Sequence, residues 1–227
     1  MKIAVTSDLH GSLPKIDPCD ILLICGDLVP LYYQTNMIAS ENWFWTDFFP
    51  WCRDSPAKNV VFIAGNHDFI LERCYNKMYE AFNNWRKHNI YYLNNSSIEI
   101  EGIKIFGTPY CKIFGHWAFM RENDRLQKYY SEIPENLDIL ISHDAPKLDA
   151  LGVISEGWQT GVDAGNEELA KAIIEKAPKY AFCGHIHSGN HTLQYVTEHT
   201  QAANASLVDE GYNATNPILY FDYETTI

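Results

Sequence analysis

Side chains that can bind a metal ion follow five short apolar runs of the sequence. They lie in the segments Asp8-Leu9-His10, Gly26-Asp27, Gly65-Asn66-His67-Asp68, Ser142-His143-Asp144 and Gly184-His185-Ile186-His187. Taken singly, an aspartate after a strand could cap a helix, and a histidine could be a hydrogen-bonded core residue. Five independent structural roles would not all select carboxylate, amide and imidazole groups. Together the segments therefore predict a metal site.

The mixture of ligand types indicates which ions the site binds. Carboxylate, amide and imidazole ligands without a thiolate suit divalent ions such as Mn²⁺, Fe²⁺, Zn²⁺ and Ni²⁺. The candidates are too numerous for one tetrahedral zinc ion. Two ions that share one carboxylate, about 3.5–4 Å apart, fit the number better. We therefore expect two divalent metal ions. Mn²⁺ is the predicted metal, with Fe²⁺, Zn²⁺ or Ni²⁺ as alternatives.

Short strands must position these groups. The five apolar runs lie at residues 2–6, 21–25, 60–64, 139–141 and 180–183. Such runs are typical of strands that are buried on both faces of a sheet. In α/β sheets, ligands gather beyond the carboxyl ends of the strands, and all five segments fall at such ends.

Other elements surround these strands. Apolar residues recur every three or four positions over residues 71–85, and Asn166 before two glutamates starts a second helix. The aromatic residues within 43–51 have helical spacing and are expected to pack in the core. Alternation over residues 98–105 predicts an antiparallel hairpin. Three more strands are predicted at residues 193–197, 200–203 and 218–223. Together these strands and helices predict an α/β fold in which two sheets face each other and the helices lie outside.

The composition limits the partners and the compartment. The 227 residues include 17 Lys and Arg against 29 Asp and Glu, a net charge of −12 with histidine neutral, which argues against long nucleic acid and anionic membranes. A hydrophobic fraction of 46% supports a well-filled core. The cysteines form no C-x-x-C pair, no signal peptide is recognisable and no apolar run could span a bilayer, so we expect a cytoplasmic protein. No linker divides the chain, and residues 1–227 are expected to form one domain.

In order and spacing, the five segments resemble the motif set of the calcineurin-like metallophosphoesterases, from residue 8 to residue 187. A looser similarity to the metallophosphoesterase-domain-containing subgroup comes from residues 107–110, 114–117, 204–206 and 217–222. Animal members of that subgroup are linked to cyclic-nucleotide phosphodiesterase activity. The resemblance implies a phosphate-ester hydrolase with a four-layer α/β/β/α sandwich of two mixed β-sheets flanked by helices.

The resemblance also implies how the ligands are divided. Every ligand position of the family is filled in this chain. The first metal would be bound by Asp8, His10 and His187, and the second by Asn66, His143 and His185. Asp27 would bridge the two metals. Some relatives in the subgroup carry glycine at the first histidine of the Gly-His-x-His motif and lose activity. Because His185 is retained, the resemblance favours an active enzyme.

The expected chemistry is hydrolysis at phosphorus. Two dications lower the pKa of a bridging water, so that hydroxide attacks in line with the leaving alkoxide. Asn66 can donate a hydrogen bond to the phosphoryl group. His67 is expected to act as general acid or as a donor to a phosphoryl oxygen, a contribution of about 10²–10⁴-fold. For Asp68 two roles are open. It could orient His67 or hold it protonated, or it could cap a helix. For Asp144 the alternatives are support of His143 and exposure to solvent.

Substrate recognition is predicted from one loop. Its aromatic and imidazole side chains could stack on a nucleobase, and they are Tyr110, Phe114, His116 and Trp117. Of these, Tyr110 and His116 are assigned to substrate binding, together with Asn66 and His67. The predicted function is hydrolysis of small phosphate esters, first of all diesters such as nucleotides. The alternatives are a phosphomonoesterase, including a protein phosphatase, and a non-catalytic nucleotide-binding protein on the same fold.

Overall fold

The computed structural model describes residues 1–224, which form two large β-sheets with helices on their outer faces and a small two-stranded sheet. The strands are β1 (Lys2–Thr6), β2 (Cys19–Ile24), β3 (Ala57–Phe62), β4 (Ile90–Tyr92), β5 (Ser96–Ile100), β6 (Ile103–Thr108), β7 (Cys111–Lys112), β8 (Met120–Arg121), β9 (Ile139–Ser142), β10 (Tyr180–Cys183), β11 (Gln194–Tyr195), β12 (Gln201–Asn204) and β13 (Leu219–Asp222). The helices are α1 (Met37–Trp43), α2 (Phe49–Asp54), α3 (Phe69–Arg73), α4 (Tyr75–Trp85), α5 (Asn123–Ser131) and α6 (Glu167–Lys176). A π-helical turn, Phe44–Phe48, joins α1 to α2.

Parallel strands bring the ends of the predicted runs to one edge. The first sheet has the order β13-β1-β2-β3-β4, and all its strands are parallel except β13. The second has the order β11-β12-β10-β9-β6-β5, with antiparallel pairing only at the edge strands β11 and β5. An isolated bridge between Ser7 and Ser206 lies just beyond the ends of β1 and β12. The segments after β1, β2, β3, β9 and β10 can therefore meet.

Apolar side chains fill the space between the sheets and cover both outer faces. In β1, Ile3 and Val5 belong to the core between the sheets, whereas Ala4 belongs to the core under α1–α4, because successive side chains of a strand point to opposite faces. The outer face of the second sheet packs on α5 and α6 through residues such as Leu140 and Leu169. This α/β/β/α layering confirms the predicted fold class.

The helix predicted over residues 71–85 has the expected buried face but is not continuous. Met78, Phe82 and Trp85 are buried in the core of the first sheet. The chain breaks into α3 and α4 at Cys74, whose φ of −112° and ψ of 31° lie outside the helical region. The local periodicity therefore predicted which residues are buried and missed the break.

Two other predictions concern helix ends and aromatic packing. The Asn166 side chain accepts hydrogen bonds from the N–H groups of Glu168 and Leu169, so α6 begins where predicted. The expected burial of the aromatic residues within 43–51 is wrong for Trp45, which is 40% exposed. No helix within residues 1–224 is long and apolar enough to cross a membrane. The domain prediction also includes residues 225–227, which lie outside the described residues.

Candidate metal centre

The five predicted segments turn sharply as they leave their strands. Four of their residues, Asp8, His10, Asp27 and His185, have positive φ between 42° and 70°, a conformation that is uncommon outside glycine. Backbone hydrogen bonds hold the first two in place, because Asp8 N–H donates to Gly26 O and His10 N–H donates to Asp27 O, both at 2.9 Å. The strained turns direct the side chains toward one another at the edge shared by the two sheets.

Two glycines permit the close approach of these turns. A Cβ atom on Gly184 would collide with Ser7 Oγ and with the Asp8 carboxylate. A Cβ atom on Gly65 would collide with the Asp27 carboxylate. Glycine is therefore required at these two motif positions, because the carboxylate groups occupy the space that a side chain would need.

Asp27 lies at the centre of the cluster with its two oxygens facing different imidazoles. Its Oδ1 is 3.4 Å from His143 Nε2, and its Oδ2 is 3.7 Å from His10 Nε2. The residue is only 1% exposed. A carboxylate in this position could contact two cations at once, as the bridging role requires.

Asp8 occupies the other side of the cluster. Its Oδ1 is 3.5 Å from His187 Nε2, while its Oδ2 accepts a hydrogen bond of 2.7 Å from Ser206 Oγ. The backbone N–H of His185 also donates to the Asp8 carboxylate at 3.1 Å. Asp8 is fully buried, and these donors fix its orientation.

Hydrogen bonds orient two of the histidines so that Nε2 faces the centre. His143 Nδ1 donates to Cys25 O and His187 Nδ1 donates to Asp209 O, each at 3.0 Å. A ring held by Nδ1 presents its other nitrogen as the ligand. His143 Nε2 lies 2.7 Å from Asn66 Oδ1, so these two predicted ligands are adjacent.

The cluster fits a pair of divalent cations. In each of two groups of residues, all the ligand atoms lie within 4.8 Å of one another. The groups are Asp8, His10 and His187, and Asp8, Asp27 and His143. Both ring nitrogens of His10 and the Asn66 Nδ2 are buried without a hydrogen-bond partner. An imidazole with free, buried nitrogens and a neighbouring carboxylate is suited to metal coordination.

The charges of the cluster also fit cations. Burial lowers the pKa of His10 to about 4, and burial together with His143 lowers the pKa of His185 to about 3, so both rings are neutral at neutral pH. For His143, burial acts in the same direction, but the Asp27 carboxylate outweighs it and raises the pKa to about 10. Two buried carboxylates thus attract positive charge to this point.

His67 lies beside the cluster and is held on several sides. Its backbone N–H donates to Asp27 Oδ1 at 2.7 Å, and its Nε2 is 3.9 Å from Asp27 Oδ2. The ring packs at 4.6 Å from Trp117 and at 5.0 Å, edge to face, from His10. Its Nδ1 makes a hydrogen bond with Gln34 Oε1. The side chain is thus adjacent to the candidate ligands and keeps Nε2 toward them.

Asp68 differs from both roles considered for it. Its carboxylate accepts hydrogen bonds from the N–H groups of Leu28, Val29 and Gly65 at 2.8–3.2 Å. It stands at the N-terminus of α3 but makes no side-chain cap, and the Nδ1 atom of His67 pairs with Gln34 instead. Asp68 is fully buried, and its hydrogen bonds with these three N–H groups tie the end of β2 to the end of β3.

Asp144 is buried, and exposure to solvent is the wrong alternative for it. Its Oδ2 accepts hydrogen bonds from the Lys112 N–H at 2.9 Å and from Asn166 Nδ2 at 2.7 Å. These contacts join β7 to the start of α6. Burial raises the pKa of the Asp144 carboxyl above its usual value.

A cavity of about 420 Å³ opens over the cluster. Candidate ligands and His67 form its floor. Its walls are largely apolar and aromatic, and they consist of Phe114, Trp117, Ile154, Val162, Ala164, Ile186 and Tyr212, with Lys112, Gln159 and Glu210 as the polar members. The Tyr212 ring lies 4.9 Å from His10 and 5.1 Å from His187. The cavity could hold a small ester next to the metal ligands.

The two loop residues assigned to substrate binding lie outside this lining. Tyr110 stacks at 3.8 Å on Tyr129 and packs against the cores, and His116 is exposed. In their place, the same loop turns Phe114 and Trp117 into the cavity. Tyr212 was missed, since it lies in a loop without a recognisable motif.

The comparison with protein families decides the class. The calcineurin-like phosphoesterase family matches residues 1–189, the stretch that contains all seven candidate ligands. The chain belongs to this family. Calcineurin-like phosphoesterases hydrolyse phosphate esters at a dinuclear divalent metal centre, and this chain is accordingly a metal-dependent phosphoesterase with candidate ligands for such a centre.

Curated relatives of this calcineurin-like phosphoesterase extend the similarity beyond the family match. Metallophosphoesterase domain-containing protein 1 of Homo sapiens is 26% identical, covering 99% of this chain and 71% of that protein. UPF0046 protein C25E10.12 of Caenorhabditis elegans is 27% identical over 93% of this chain and 76% of its own length. A probable rhamnogalacturonate lyase C of Emericella nidulans is 28% identical over 83% of this chain, which spans only 17% of that relative.

Solved structures share the fold at lower identity. The protein TT1561 of Thermus thermophilus has a TM-score of 0.56 at 13% identity, covering 89% of this chain and 88% of that one. The phosphopantetheinyl hydrolase of Mycobacterium tuberculosis also has a TM-score of 0.56 at 13% identity, covering 90% and 88%. These likenesses establish the four-layer fold of the calcineurin-like phosphoesterases for this chain.

Proposed function

We propose that this phosphoesterase is a phosphodiesterase that acts on nucleotides or other small esters. The observation that carries the proposal is the lining of the cavity. Its described lining contains one lysine, no arginine and two acidic residues, Asp27 and Glu210, and the Lys112 ammonium already donates to Gly165 O at 2.9 Å. A phosphomonoester dianion would need more compensating charge than a diester with a single negative charge. The apolar walls suit the organic groups on both sides of a diester.

The ligands are proposed to divide as the family motifs suggest. Asp8, His10 and His187 would hold one cation, Asn66, His143 and His185 the other, and Asp27 would contact both. Mn²⁺ is the proposed metal, because carboxylate, amide and neutral imidazole ligands suit it, with Fe²⁺, Zn²⁺ and Ni²⁺ as alternatives. Bound there, two cations would acidify a water and withdraw charge from the phosphoryl oxygens.

Three residues of the chain would act on the substrate or support those that do. The unpartnered Nδ2 of Asn66 would donate a hydrogen bond to a phosphoryl oxygen. His67 would donate a proton from Nε2 to the leaving oxygen, since this nitrogen is directed toward the candidate ligands. Asp68 would keep the loop that carries His67 attached to the end of β2, through the three N–H groups that it accepts.

The aromatic walls are proposed to bind a base or a similar flat group. Phe114 lies 5.1 Å from the His185 ring and is 56% exposed, so one of its faces is available. Trp117 covers His67, and Tyr212 covers His10 and His187. A flat group seated among these rings would place its phosphate close to the candidate ligands.

A cytoplasmic location is proposed on separate grounds. All six cysteines are described by the structure as free thiols, and five of them are buried. Buried thiols without disulfides are typical of proteins from reducing compartments.

Hydrolysis of bis-p-nitrophenyl phosphate with Mn²⁺ tests the function. We expect turnover by the wild type, its loss in Asp27→Ala, and no change in the control Asp54→Ala, which removes an exposed aspartate. Circular dichroism of Asp27→Ala checks that the variant folds. Unchanged activity in Asp27→Ala would overturn the assignment of the site. Faster hydrolysis of p-nitrophenyl phosphate would instead identify a phosphomonoesterase, and tight nucleotide binding without turnover with any divalent ion would identify a binding protein.

A further inference from the structure

Gln34 contacts the ring nitrogen of His67 that points away from the candidate ligands. Its Oε1 is the hydrogen-bond partner of His67 Nδ1. The oxygen of an amide can only accept, so Nδ1 carries the hydrogen in this contact. The other nitrogen, Nε2, is the one on the side of Asp27.

The chain holds Gln34 firmly at this position. Gln34 lies in two overlapping turns, in which its own N–H donates to Leu31 O at 3.4 Å and the N–H of Asn36 donates to Tyr33 O at 2.8 Å. The second turn leads directly into α1, since Asn36 Oδ1 accepts a hydrogen bond from the Ala39 N–H at 3.1 Å. Ser40 Oγ donates to Tyr33 O at 2.8 Å and anchors the turn to the helix. The side chain of Gln34 is therefore presented from a fixed backbone.

The remaining surroundings of His67 leave Gln34 as the group that sets which nitrogen bears the hydrogen. Trp117 packs on the His67 ring, and the His10 ring contacts it edge to face. Neither contact favours one tautomer of His67 over the other. Among the described residues, Gln34 supplies the side-chain hydrogen bond to this ring. Asp68 and Asp27 accept hydrogen bonds from backbone N–H groups, including that of His67 itself, and Asp27 Oδ2, at 3.9 Å from His67 Nε2, lies beyond hydrogen-bond distance of the ring.

We propose that Gln34 is a positioning residue that fixes the tautomer and orientation of His67, so that Nε2 is the nitrogen that exchanges a proton with the substrate. The inference rests on the proposed function. In the step concerned, the bond from phosphorus to the leaving oxygen breaks and its electron pair stays on that oxygen. His67 enters the step with a hydrogen on each ring nitrogen, and the leaving oxygen takes the one on Nε2, which leaves the neutral Nδ1–H tautomer. The attacking water supplies the new oxygen on phosphorus and releases a proton to solvent, and a proton from solvent then restores the hydrogen on Nε2. His67 keeps its Nδ1 hydrogen on Gln34 throughout.

The first test reads the ring directly. We compare the wild type with Gln34→Met, which has a similar length and no carbonyl, with Gln34→Glu, which retains an acceptor, and with Thr35→Ala as an exposed control in the same turn. Long-range ¹H–¹⁵N spectra of the Zn²⁺-loaded proteins report the tautomer, and the His67 signal is assigned by its loss in His67→Gln. We expect the Nδ1–H form in the wild type, Gln34→Glu and Thr35→Ala, and loss of that preference in Gln34→Met. The Nε2–H form in the wild type, or an unchanged ring in Gln34→Met, would overturn the proposal.

The second test separates positioning from a general structural effect. A diester with an alkyl leaving group needs the proton from His67 more than one with p-nitrophenolate does. We expect Gln34→Met to lower kcat about tenfold on the alkyl ester and less than about twofold on the aryl ester, with KM unchanged and activity restored in Gln34→Glu. An equal loss on both esters would overturn the proposal. If the wild type cleaves neither ester, the proposed function fails, and the tautomer measurement alone then decides the role of Gln34.

Discussion

The Asp27 carboxylate accepts a hydrogen bond from the backbone N–H of His67 at 2.7 Å. The same side chain lies between the imidazoles of His143 and His10. A change in the charge around Asp27 is therefore transmitted to the segment that carries the proposed acid. Metal binding, the position of His67 and the stability of the two strand ends are thus expected to depend on one another.

Chelation should lower the thermal stability of the protein. Two bound cations relieve the repulsion between the buried Asp8 and Asp27, and a ligand present at 100 times its Kd stabilises a protein by about 2.7 kcal/mol. For a chain of this length that corresponds to a fall in Tm of about 5–10 °C on adding EDTA. Scanning fluorimetry measures it. The variant Asp27→Ala should show no such fall, and a fall of the same size in that variant would contradict the assignment.

Ser206→Ala should weaken metal binding without removing a ligand. Ser206 Oγ donates to the buried Asp8 Oδ2 at 2.7 Å, and loss of such an outer hydrogen bond typically costs about 10–100-fold in metal affinity. Competition with a fluorescent chelator measures the affinity. Ser97→Ala, an exposed serine on β5, is the matched control and should bind metal as the wild type does. Equal affinities of all three proteins would show that Ser206 does not orient Asp8.

Phe114→Ala should weaken the binding of esters that carry an aromatic group. The ring forms part of the cavity wall, and removing one aromatic stacking contact costs about 1 kcal/mol, or roughly fivefold in KM. Steady-state kinetics with an aryl diester and a small dialkyl diester measure the difference. His116→Ala changes an exposed residue of the same loop and should alter neither KM. A larger effect of His116→Ala than of Phe114→Ala would reverse the assignment of the loop.

The acid stability of the protein should depend on Asp138. Burial acts to raise the pKa of its carboxyl, but hydrogen bonds outweigh burial and hold the pKa below its usual value of 3.8. The donors are the Lys104 N–H at 2.8 Å, Lys179 Nζ at 2.8 Å and Tyr223 Oη at 2.6 Å. Because the folded-state pKa is the lower one, the stabilisation is present above pH 3.8 and is lost as the pH falls through the folded-state pKa.

Urea unfolding of the wild type and Asp138→Asn between pH 6 and pH 2 measures this dependence. We expect a difference in the free energy of unfolding that is constant above about pH 4 and shrinks below it. Asp222→Asn, an exposed aspartate on β13, is the control and should leave the pH dependence unchanged. A difference that grows as the pH falls would contradict the assigned direction of the pKa shift.

The strand ends of the site could be predicted because each is marked locally. An apolar run followed by glycine and a polar ligand is visible in the sequence, and parallel pairing then brings Asp8, Asn66 and His185 to one edge. The same reasoning explains why the two sheets and the capped start of α6 were predicted correctly. These features depend on residues that are neighbours along the chain.

Other parts of the site depend on how loops fold back, which no local pattern encodes. Gln34 and Tyr212 reach the site from loops without a motif, so they were missed. Tyr110 was assigned to the substrate site because the sequence shows which residues its loop contains but not the direction in which their side chains point. Stacking on Tyr129 turns the ring of Tyr110 away from the cavity.

The most direct test of the dinuclear site is anomalous diffraction from crystals grown with Mn²⁺. We expect two manganese peaks about 3.5–4 Å apart, with Asp27 in contact with both. Asp8, His10 and His187 should surround one peak, and Asn66, His143 and His185 the other. A single peak between these residues, or manganese bound only elsewhere on the chain, would contradict the assignment of a dinuclear site.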